Sequence, residues 1–320
     1  MKLVTYISSP QGGPTLGALI GAEDELVDLQ AAHRGSFGAI HPALNSMQDL
    51  IEHGEEGLAL AQACMQGAAT MPLASVQLLA PLPRPLQIRD CLCFEDHLLG
   101  AARAGARLMG QEFAEETAML RTFRRQPIWY KANRMSVVGP GHEVVWPDHS
   151  NVMDYELEIG MVLGRTGVKI PREQARDYIF GYTIFNDLSA RDTQLLEMEG
   201  QLGPTQGKDF DGGNVFGPCI VTADEFSPND VRMTVRVNGE LRSEGSSSKM
   251  KYSFEDLIAY VSRDETLYAG EILCSGTVGG GSGLEAGTLL QSGDVVEMEI
   301  EGIGRLRNRI IASNDDKQTN

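Results

Sequence analysis

The strand-like segments of this chain are short and stand in clusters, and this arrangement restricts the fold more than any other feature of the sequence. They do not alternate one by one with helical segments, which argues against a parallel sheet built from βαβ units. Glycine is abundant, with 36 residues in 320, whereas aromatic residues make up only 6%. Because glycine adopts the positive φ angles of tight turns at no steric cost, the pattern predicts a strand-rich α+β fold.

The beginning of the chain predicts a small α+β unit. Short strands are predicted over 3–7, 15–20 and 25–29, and a 3.6-residue apolar period predicts helix over 46–65. Pro81, Pro83 and Pro85 then stand at alternate positions and disfavour helix, which is typical of an extended connection. We therefore predict an N-terminal domain over 1–80 and a second domain over 81–320.

The second domain carries most of the predicted strands. After a helix-like stretch over 97–124, strands are predicted over 128–131, 143–146, 155–163, 182–187, 219–222 and 233–237. Asn238-Gly239 is a two-residue hairpin signal, and the segments 295–300 and 305–311 predict a closing hairpin. Residues 314–320 are polar, and we expect a frayed tail there.

The charge and the cysteines argue against several functional classes. With 27 Lys and Arg against 44 Asp and Glu, the formal net charge is −17, which disfavours binding of nucleic acid or of an anionic membrane surface. No stretch approaches the ~20 apolar residues of a membrane span, and the start of the chain lacks signal-peptide features, so we expect a cytoplasmic protein. The five cysteines are scattered and odd in number, which favours buried thiols over disulfides.

Two glutamates, Glu156 and Glu158, stand two residues apart in the predicted strand 155–163 and therefore project from the same face. Like charges side by side are tolerated in open water or where a cation holds them together. Asp187, at the end of the next predicted strand, is placed to join them, and three carboxylates suit Mg²⁺, Mn²⁺ or Ca²⁺. From spacing alone, a solvated strand edge and a helix start near Ser189 remain alternatives.

Four motifs in order resemble those of the fumarylacetoacetate hydrolase family, over residues 88–309. They are Asn-Asp-Leu-Ser-Ala-Arg-Asp-Thr-Gln at 186–194, Glu-Leu-Glu at 156–158, Gly-Lys-Asp-Phe at 207–210 and Ser-Gly-Thr at 275–277. The resemblance implies a mixed β-roll or sandwich catalytic domain of the fumarylacetoacetase C-terminal type, after a small N-terminal α+β domain. It also implies that Glu156, Glu158 and Asp187 bind a metal and that Lys208 is catalytic.

Further matches assign roles outside these motifs. Asp90 and His97, seven residues apart, are similar to a metal-ligand aspartate and the catalytic histidine of the family. Shorter members place the carboxylate partner of that histidine at the position of Gly100, whereas longer members supply it from beyond the Gly-Thr loop, where Glu285 is the nearest candidate. The residues that the resemblance implies for substrate binding are Tyr130, Lys131, Arg191, Gln194 and Thr277, with bracing of the carboxylates as the alternative for Arg191.

The resemblance implies an enzyme that hydrolyses a carbon–carbon bond in a β-diketo acid of the fumarylacetoacetate, fumarylpyruvate or acylpyruvate type, in aromatic-compound catabolism. It implies a homodimer, a small keto-acid substrate and one divalent cation, with Mg²⁺ expected first and Mn²⁺ or Ca²⁺ as alternatives. Two other functions stay open: a lyase or isomerase of the same fold, such as a sugar-acid dehydratase or keto-acid decarboxylase, and a non-catalytic metal- or ligand-binding protein. The glycines at 276 and 279–283 are expected to form a loop where the backbone approaches the substrate.

Overall fold

Three β-sheets and eight α-helices form the part of the chain that the computed structural model describes, residues 1–313. The strands are β1 (Lys2–Ile7), β2 (Thr15–Ile20), β3 (Glu25–Asp28), β4 (Met71–Pro72), β5 (Gln77–Leu78), β6 (Ile88–Cys91), β7 (Trp129–Ala132), β8 (Val137–Val138), β9 (Glu143–Trp146), β10 (Met153–Asp154), β11 (Leu157–Leu163), β12 (Ile179–Asp187), β13 (Ser189–Ala190), β14 (Asn214–Thr222), β15 (Arg232–Val237), β16 (Glu240–Ser246), β17 (Ile272–Cys274), β18 (Val295–Ile300) and β19 (Gly304–Ala312). The helices are α1 (Leu29–Phe37), α2 (Met47–Glu52), α3 (Gly54–Met65), α4 (Glu95–Leu108), α5 (Ala118–Arg125), α6 (Arg191–Glu199), α7 (Phe254–Val261) and α8 (Gly283–Ala286). Within residues 1–313, no helix has the length and apolar character needed to cross a bilayer. The tail predicted over 314–320 lies outside the described residues.

The largest sheet has twelve strands and joins the beginning of the chain to its centre. Its main path runs β4-β3-β2-β1-β14-β12-β11-β17-β6-β7, with β5 beside β1 and β8 beside β14. The strands β10 and β13 form a separate pair, and β16-β15-β18-β19-β9 form a five-stranded sheet. Because β1 pairs antiparallel with β14, Lys2 opposite Val221, the N-terminal strands extend the sheet of the later part of the chain. The domain division at residue 80 stays a prediction.

The strand-rich α+β fold predicted from the sequence is confirmed. The strands predicted over 15–20 and 143–146 are present with the same bounds, as β2 and β9. The hairpin at Asn238-Gly239 joins β15 to β16, and its two residues have φ angles of 53° and 84°, as a tight two-residue turn requires. The predicted closing hairpin is formed by β18 and β19.

The helices differ from the sequence prediction at three places, each with a local cause. The stretch 97–124 divides into α4 and α5 because Gly110, with a φ of 66°, follows α4, and Thr117 begins α5 by accepting the Leu120 N–H. The predicted helix 46–65 divides into α2 and α3 because Gly54, the first residue of α3, has a φ of 53°, which interrupts a continuous helix. The helix α1 replaces a predicted strand end, because the Asp28 side chain accepts the N–H of Ala31 and caps the helix.

The central strands β11 and β12 are buried along their whole length. On β11, Leu157 and Ile159 belong to one core cluster and Val162 belongs to the other, because neighbouring side chains of a strand project from opposite faces. Glu158 shares its face with Val162 and is therefore enclosed in the interior. A carboxylate in that position needs a positive charge, a hydrogen-bond donor or a proton beside it.

Candidate metal and catalytic site

Three carboxylates from different strands meet at one place in the twelve-stranded sheet. Asp90 is on β6, Glu158 on β11 and Asp187 at the end of β12, and oxygen atoms of the three lie within 4.8 Å of one another. Their relative exposures are 5%, 0% and 0%. The sheet brings them together because β6 and β11 both pair with β17, and β11 also pairs with β12. We call these three residues the acidic triad.

The acidic triad is suited to a divalent cation. Burial raises the pKa of all three carboxyl groups, and repulsion adds to this effect, from Asp187 on Asp90 and from Asp90 on Glu158. Among the described residues, the Oδ1 atoms of Asp90 and Asp187 are buried and have no hydrogen-bond partner. Buried oxygens of this kind are costly, and a cation with oxygen ligands would satisfy both of them.

Lys208 brings a positive charge to the same carboxylates. Its Nζ donates a hydrogen bond to Glu156 Oε2 at 2.5 Å and another to Asp187 Oδ2, and the residue is only 2% exposed. Burial on its own lowers the pKa of Lys208, but the negative charges of Asp187 and Glu156 outweigh burial and raise the pKa above its ordinary value. The ammonium group is therefore charged at neutral pH.

Glu156 lies beside the acidic triad and is engaged by two cations. It stands just before β11, and its carboxylate accepts hydrogen bonds from Lys208 Nζ and, at 2.8 Å, from Arg191 Nη2. Burial raises its pKa, but the charges of Arg191 and Lys208 outweigh burial and hold the pKa below the usual range. Of the four metal ligands implied by the resemblance, three meet in the triad, and metal binding by Glu156 stays a prediction.

His97 and Glu285 form a hydrogen-bonded pair between α4 and α8. His97 Nδ1 lies 2.7 Å from Glu285 Oε2, and a carboxylate can only accept, so Nδ1 carries the proton. Glu285 is held in turn by the Ser282 hydroxyl at 2.7 Å and by the Gly280 N–H at 3.0 Å. The other ring nitrogen, Nε2, lies 3.6 Å from Glu156 Oε1, and in the neutral ring it is the nitrogen with the lone pair. The structure thus brings together the histidine and the carboxylate that the resemblance paired.

Gly100 leaves the space that the Glu285 carboxylate fills. It follows His97 on α4, and a Cβ atom at position 100 would come within 2.6 Å of Glu285 Oε1. In this chain the carboxylate partner of the histidine therefore comes from α8 and passes close to the backbone of α4. Any side chain at position 100 would compete with it.

Tyr130 and Thr277, both expected to bind substrate, donate hydrogen bonds to the acidic triad. The Tyr130 hydroxyl donates to Asp187 Oδ2 at 2.7 Å, and the Thr277 hydroxyl donates to Glu158 Oε1 at 3.3 Å. Burial, and after it the charge of Asp187, raises the pKa of Tyr130 well above its ordinary value, so the hydroxyl keeps its proton. Substrate binding by these two residues stays a prediction.

Asp154 is a site residue that the sequence analysis missed. It is 0% exposed, and its Oδ2 accepts hydrogen bonds from Arg191 Nε at 2.8 Å and Nη2 at 2.6 Å. Its Oδ1 accepts the Gly283 N–H at 2.7 Å, at the beginning of the helix that carries Glu285. The sequence did offer a way to find it. Asp154 stands two residues before Glu156, as Glu156 stands two residues before Glu158, and this is the period of side chains on one face of a strand.

Arg191 and Gln194 contact each other, whereas Lys131 lies away from the site. Arg191 Nη1 donates to the Gln194 side-chain oxygen at 2.9 Å. Arg191 Nη2 donates to Asp154 and Glu156, so Arg191 braces these two acids. The Lys131 side chain is 58% exposed, and its Nζ lies 3.6 Å from Glu265 Oε1. Side chains alternate along β7, and Tyr130 is the one that faces the acidic triad. Substrate binding by Lys131 therefore has no support from this geometry, and substrate binding by Arg191 and Gln194 stays a prediction.

The glycine-rich loop after β17 packs closely against the protein itself. A Cβ atom at Gly276, where φ is 73°, would come within 2.2 Å of the Cys91 carbonyl oxygen. One at Gly279 would come within 2.7 Å of Asp96 Cβ, at the beginning of α4. These glycines therefore allow the loop to approach β6 and α4, and an approach to substrate stays a prediction.

Comparisons with known proteins agree with this geometry. A family model described as Fumarylacetoacetate (FAA) hydrolase C-terminal matches residues 90–311. The mitochondrial oxaloacetate tautomerase FAHD2A of Homo sapiens is 30% identical over 315 residues, covering 97% of this chain and 92% of that protein. The oxaloacetate tautomerase YisK of Bacillus subtilis (strain 168) is 32% identical over 308 residues, covering 91% and 95%.

A solved structure supports both the fold and the metal. The maleylpyruvate hydrolase from Sphingobium sp. SYK-6, in complex with manganese(II) and pyruvate, matches with a TM-score of 0.72 and 25% sequence identity, covering 98% of this chain and 99% of that one. The fold implied by the sequence motifs is confirmed. A manganese-bound neighbour and a buried acidic triad together support a divalent metal in this chain.

Replacing a residue of the acidic triad should remove metal binding. We expect Glu158→Gln and Asp90→Asn each to weaken Mn²⁺ binding by about 100-fold or more, because each removes a charged oxygen ligand. Isothermal titration calorimetry measures the affinity, and Glu173→Gln, an exposed carboxylate elsewhere, serves as the matched control. Unchanged Mn²⁺ affinity in both triad variants would refute this assignment.

The stabilisation provided by the metal should increase with pH. The triad carboxyls have folded pKa values above their unfolded ones, so the metal-free protein loses stability as pH rises from about 4 through those raised values. A bound cation offsets the repulsion between the ionised groups. We expect the Mn²⁺-dependent gain in unfolding free energy, measured by urea denaturation, to grow from about pH 5 to about pH 8 and to grow less in Asp90→Asn. A gain that does not vary with pH would contradict the raised pKa values.

Proposed function

This chain belongs to the fumarylacetoacetate hydrolase family, and on that premise we propose that it interconverts the keto and enol forms of a short 2-oxo dicarboxylic acid such as oxaloacetate. The observation that carries the proposal is the acidic triad, with the ammonium group of Lys208 and the His97–Glu285 pair beside the neighbouring Glu156. Such a site suits chemistry that passes through an enolate. Two relatives named as oxaloacetate tautomerases, matched over 92% and 95% of their length, support this reaction over others of the family.

The negative charge that develops on the substrate oxygen is stabilised from two sides. The acidic triad would hold a divalent cation, and the bound cation would supply Lewis-acid polarisation of the keto oxygen. Lys208 adds a permanent positive charge, which its contacts with Asp187 and Glu156 hold in place before the substrate arrives. Charges that are already oriented stabilise the developing anion without further reorganisation.

His97 is placed to move the proton. Its Nδ1–H is held by Glu285, so in the neutral ring Nε2 has the lone pair, which would remove a proton from the carbon next to the keto group. The electron pair of that C–H bond moves into the carbon–carbon bond, the carbonyl oxygen takes the negative charge, and His97 returns the proton to this oxygen. The Glu285 carboxylate stabilises the imidazolium formed in between.

Hydrolysis of a β-diketo acid is the second candidate, and one observation favours it. The His97–Glu285 pair is also the arrangement that activates a water molecule for attack on a carbonyl group. A similar solved structure is named as a maleylpyruvate hydrolase, which supports this alternative. Both versions of the proposal share four further parts. They take Mg²⁺ as the preferred ion, a homodimer as the assembly, the cytoplasm as the location, and neither nucleic acid nor membrane as a partner.

The reaction itself tests the proposal. With Mn²⁺ or Mg²⁺ present, we expect the protein to accelerate the keto–enol conversion of oxaloacetate, followed by the ultraviolet absorbance of the enol. His97→Ala should lower kcat by about 10² to 10⁴, the contribution of a positioned acid or base, while His142→Ala, at an exposed histidine, should not. Pyruvate release from acylpyruvates, fumarylpyruvate or maleylpyruvate, with no effect on oxaloacetate, would favour the hydrolase and overturn the tautomerase.

Gly100→Ala should impair the reaction without unfolding the protein. The new methyl group would displace the Glu285 carboxylate from His97, so we expect kcat to fall by about tenfold to 100-fold. Alanine is the better helix former by about 1 kcal/mol, which limits any loss of stability. Gly105→Ala on the same helix is the matched control, because its Cβ would meet only methyl groups of Leu195. Equal kcat values for the two variants would show that Gly100 has no role in placing Glu285.

A further inference from the structure

The segment that leads from α6 to Lys208 begins with a mostly exposed and irregular stretch, residues 200–203. Gln201 and Gly203 have φ angles of 62° and 94°, and Leu202 between them is 93% exposed. Yet Lys208, only five residues beyond Gly203, is 2% exposed and contacts two buried carboxylates. Some contact between Gly203 and Lys208 must therefore fix the path of the chain.

Glu197, on the last turn of α6, makes that contact. Its carboxylate accepts four hydrogen bonds from three consecutive residues. The donors are the Thr205 N–H at 2.9 Å, the Thr205 hydroxyl at 2.5 Å, the Gln206 N–H at 2.9 Å and the Gly207 N–H at 3.1 Å. Successive N–H groups that converge on one anion form a concave backbone turn, which we call the 205–207 turn.

The 205–207 turn is pinned on its other side as well. The Gly207 carbonyl accepts the Ala190 N–H at 2.8 Å, and a Cβ atom at Gly207 would come within 2.7 Å of the Gln194 backbone. The Lys208 N–H then donates to the Thr205 carbonyl at 2.9 Å, so the lysine backbone belongs to the same turn. The direction in which the Lys208 side chain leaves the backbone is set by this turn.

We propose that Glu197 is a positioning residue for Lys208: its carboxylate shapes the 205–207 turn and thereby aims the ammonium group at Asp187 and Glu156. This inference rests on the proposed role of Lys208 as the charge that stabilises the enolate. Glu197 itself touches neither the acidic triad nor the lysine side chain in any of the described contacts. Glu197 therefore acts on the Lys208 side chain through the backbone of residues 205–208.

The electrostatics of Glu197 agree with this role. Burial raises its pKa, but the hydrogen bonds from Thr205, Gln206 and Gly207 outweigh burial and hold the pKa below the usual range. The group is therefore an anion under all conditions in which the enzyme would work. A glutamine at position 197 would replace one carboxylate oxygen with an NH2 group. That group is a donor, whereas the N–H groups of residues 205–207 need an acceptor.

Glu197→Gln tests the inference against a matched control on the same helix end, Glu199→Gln, whose side chain is exposed. We expect Glu197→Gln to speed hydrogen exchange of the 205–207 amides by about tenfold or more, since the substitution weakens the acceptor of all three backbone N–H groups at once. A crystal structure of the variant should show Lys208 Nζ displaced from Asp187. Unchanged exchange and an unchanged Nζ position would overturn the proposal.

A second measurement separates a positioning role from a purely structural one. Oxalate is a planar dianion that resembles the enolate of a 2-oxo acid, and its affinity for the Mn²⁺-loaded protein is measured by calorimetry. We expect Glu197→Gln to weaken oxalate binding about tenfold in the wild-type background but less than about twofold in a Lys208→Met background. Equal losses in both backgrounds would mean that Glu197 acts independently of Lys208, and the inference would be wrong.

The inference and the proposed function can fail separately. If wild-type protein neither converts oxaloacetate nor binds oxalate, the proposed function fails, while exchange and crystallography still decide whether Glu197 places Lys208. If Glu197→Gln does not fold, Thr205→Val removes one of the four hydrogen bonds and keeps the side-chain shape. We expect Thr205→Val to displace Lys208 Nζ in the same direction by a smaller amount, and an unmoved lysine would again overturn the proposal.

Discussion

Burial of five carboxylates beside two cations is the constraint on which the rest of this structure depends. All of these groups are at most 5% exposed: Asp90, Asp154, Glu156, Glu158, Asp187, Lys208 and Arg191. If all were ionised, the excess of three negative charges would be reduced to one by a divalent cation. A protein interior stabilises charge poorly, so each acid must find a cation, a donor or a proton. The partnerless oxygens of Asp90 and Asp187 mark where the protein alone does not meet that need.

The two functional parts of the site are mechanically connected through buried ion pairs. Asp154 holds the first N–H of α8, which carries Glu285, and also the guanidinium of Arg191. Arg191 in turn contacts Glu156, which contacts Lys208. The proton-handling pair and the charge-stabilising lysine are therefore parts of one hydrogen-bonded network, and a displacement in one part changes the geometry of the other.

The family resemblance was enough to name most of the residues that meet at the site, but not the contacts of each. Glu156 and Glu158 were predicted to share one face and to bind one metal. Glu158 lies in the acidic triad, whereas Glu156 contacts Arg191 and Lys208, and its metal binding stays a prediction. Lys131 follows Tyr130 in sequence and lies on the opposite face of β7. Glu197 was missed because three of its four donors are backbone N–H groups, which leave no mark in a sequence.

The amino-acid sequence alone was sufficient for the strand-rich α+β class, the hairpin at Asn238-Gly239 and the acidic character of the site, because local turn chemistry and side-chain periodicity carry that information. The family resemblance offered Glu285 as the nearest candidate partner of His97, but the contact between them needed the folded chain. Those two residues stand 188 positions apart, and a missing side chain at Gly100 makes room for their contact. A contact between residues so far apart in the sequence arises from the packing of α4 against α8, which no local sequence pattern encodes.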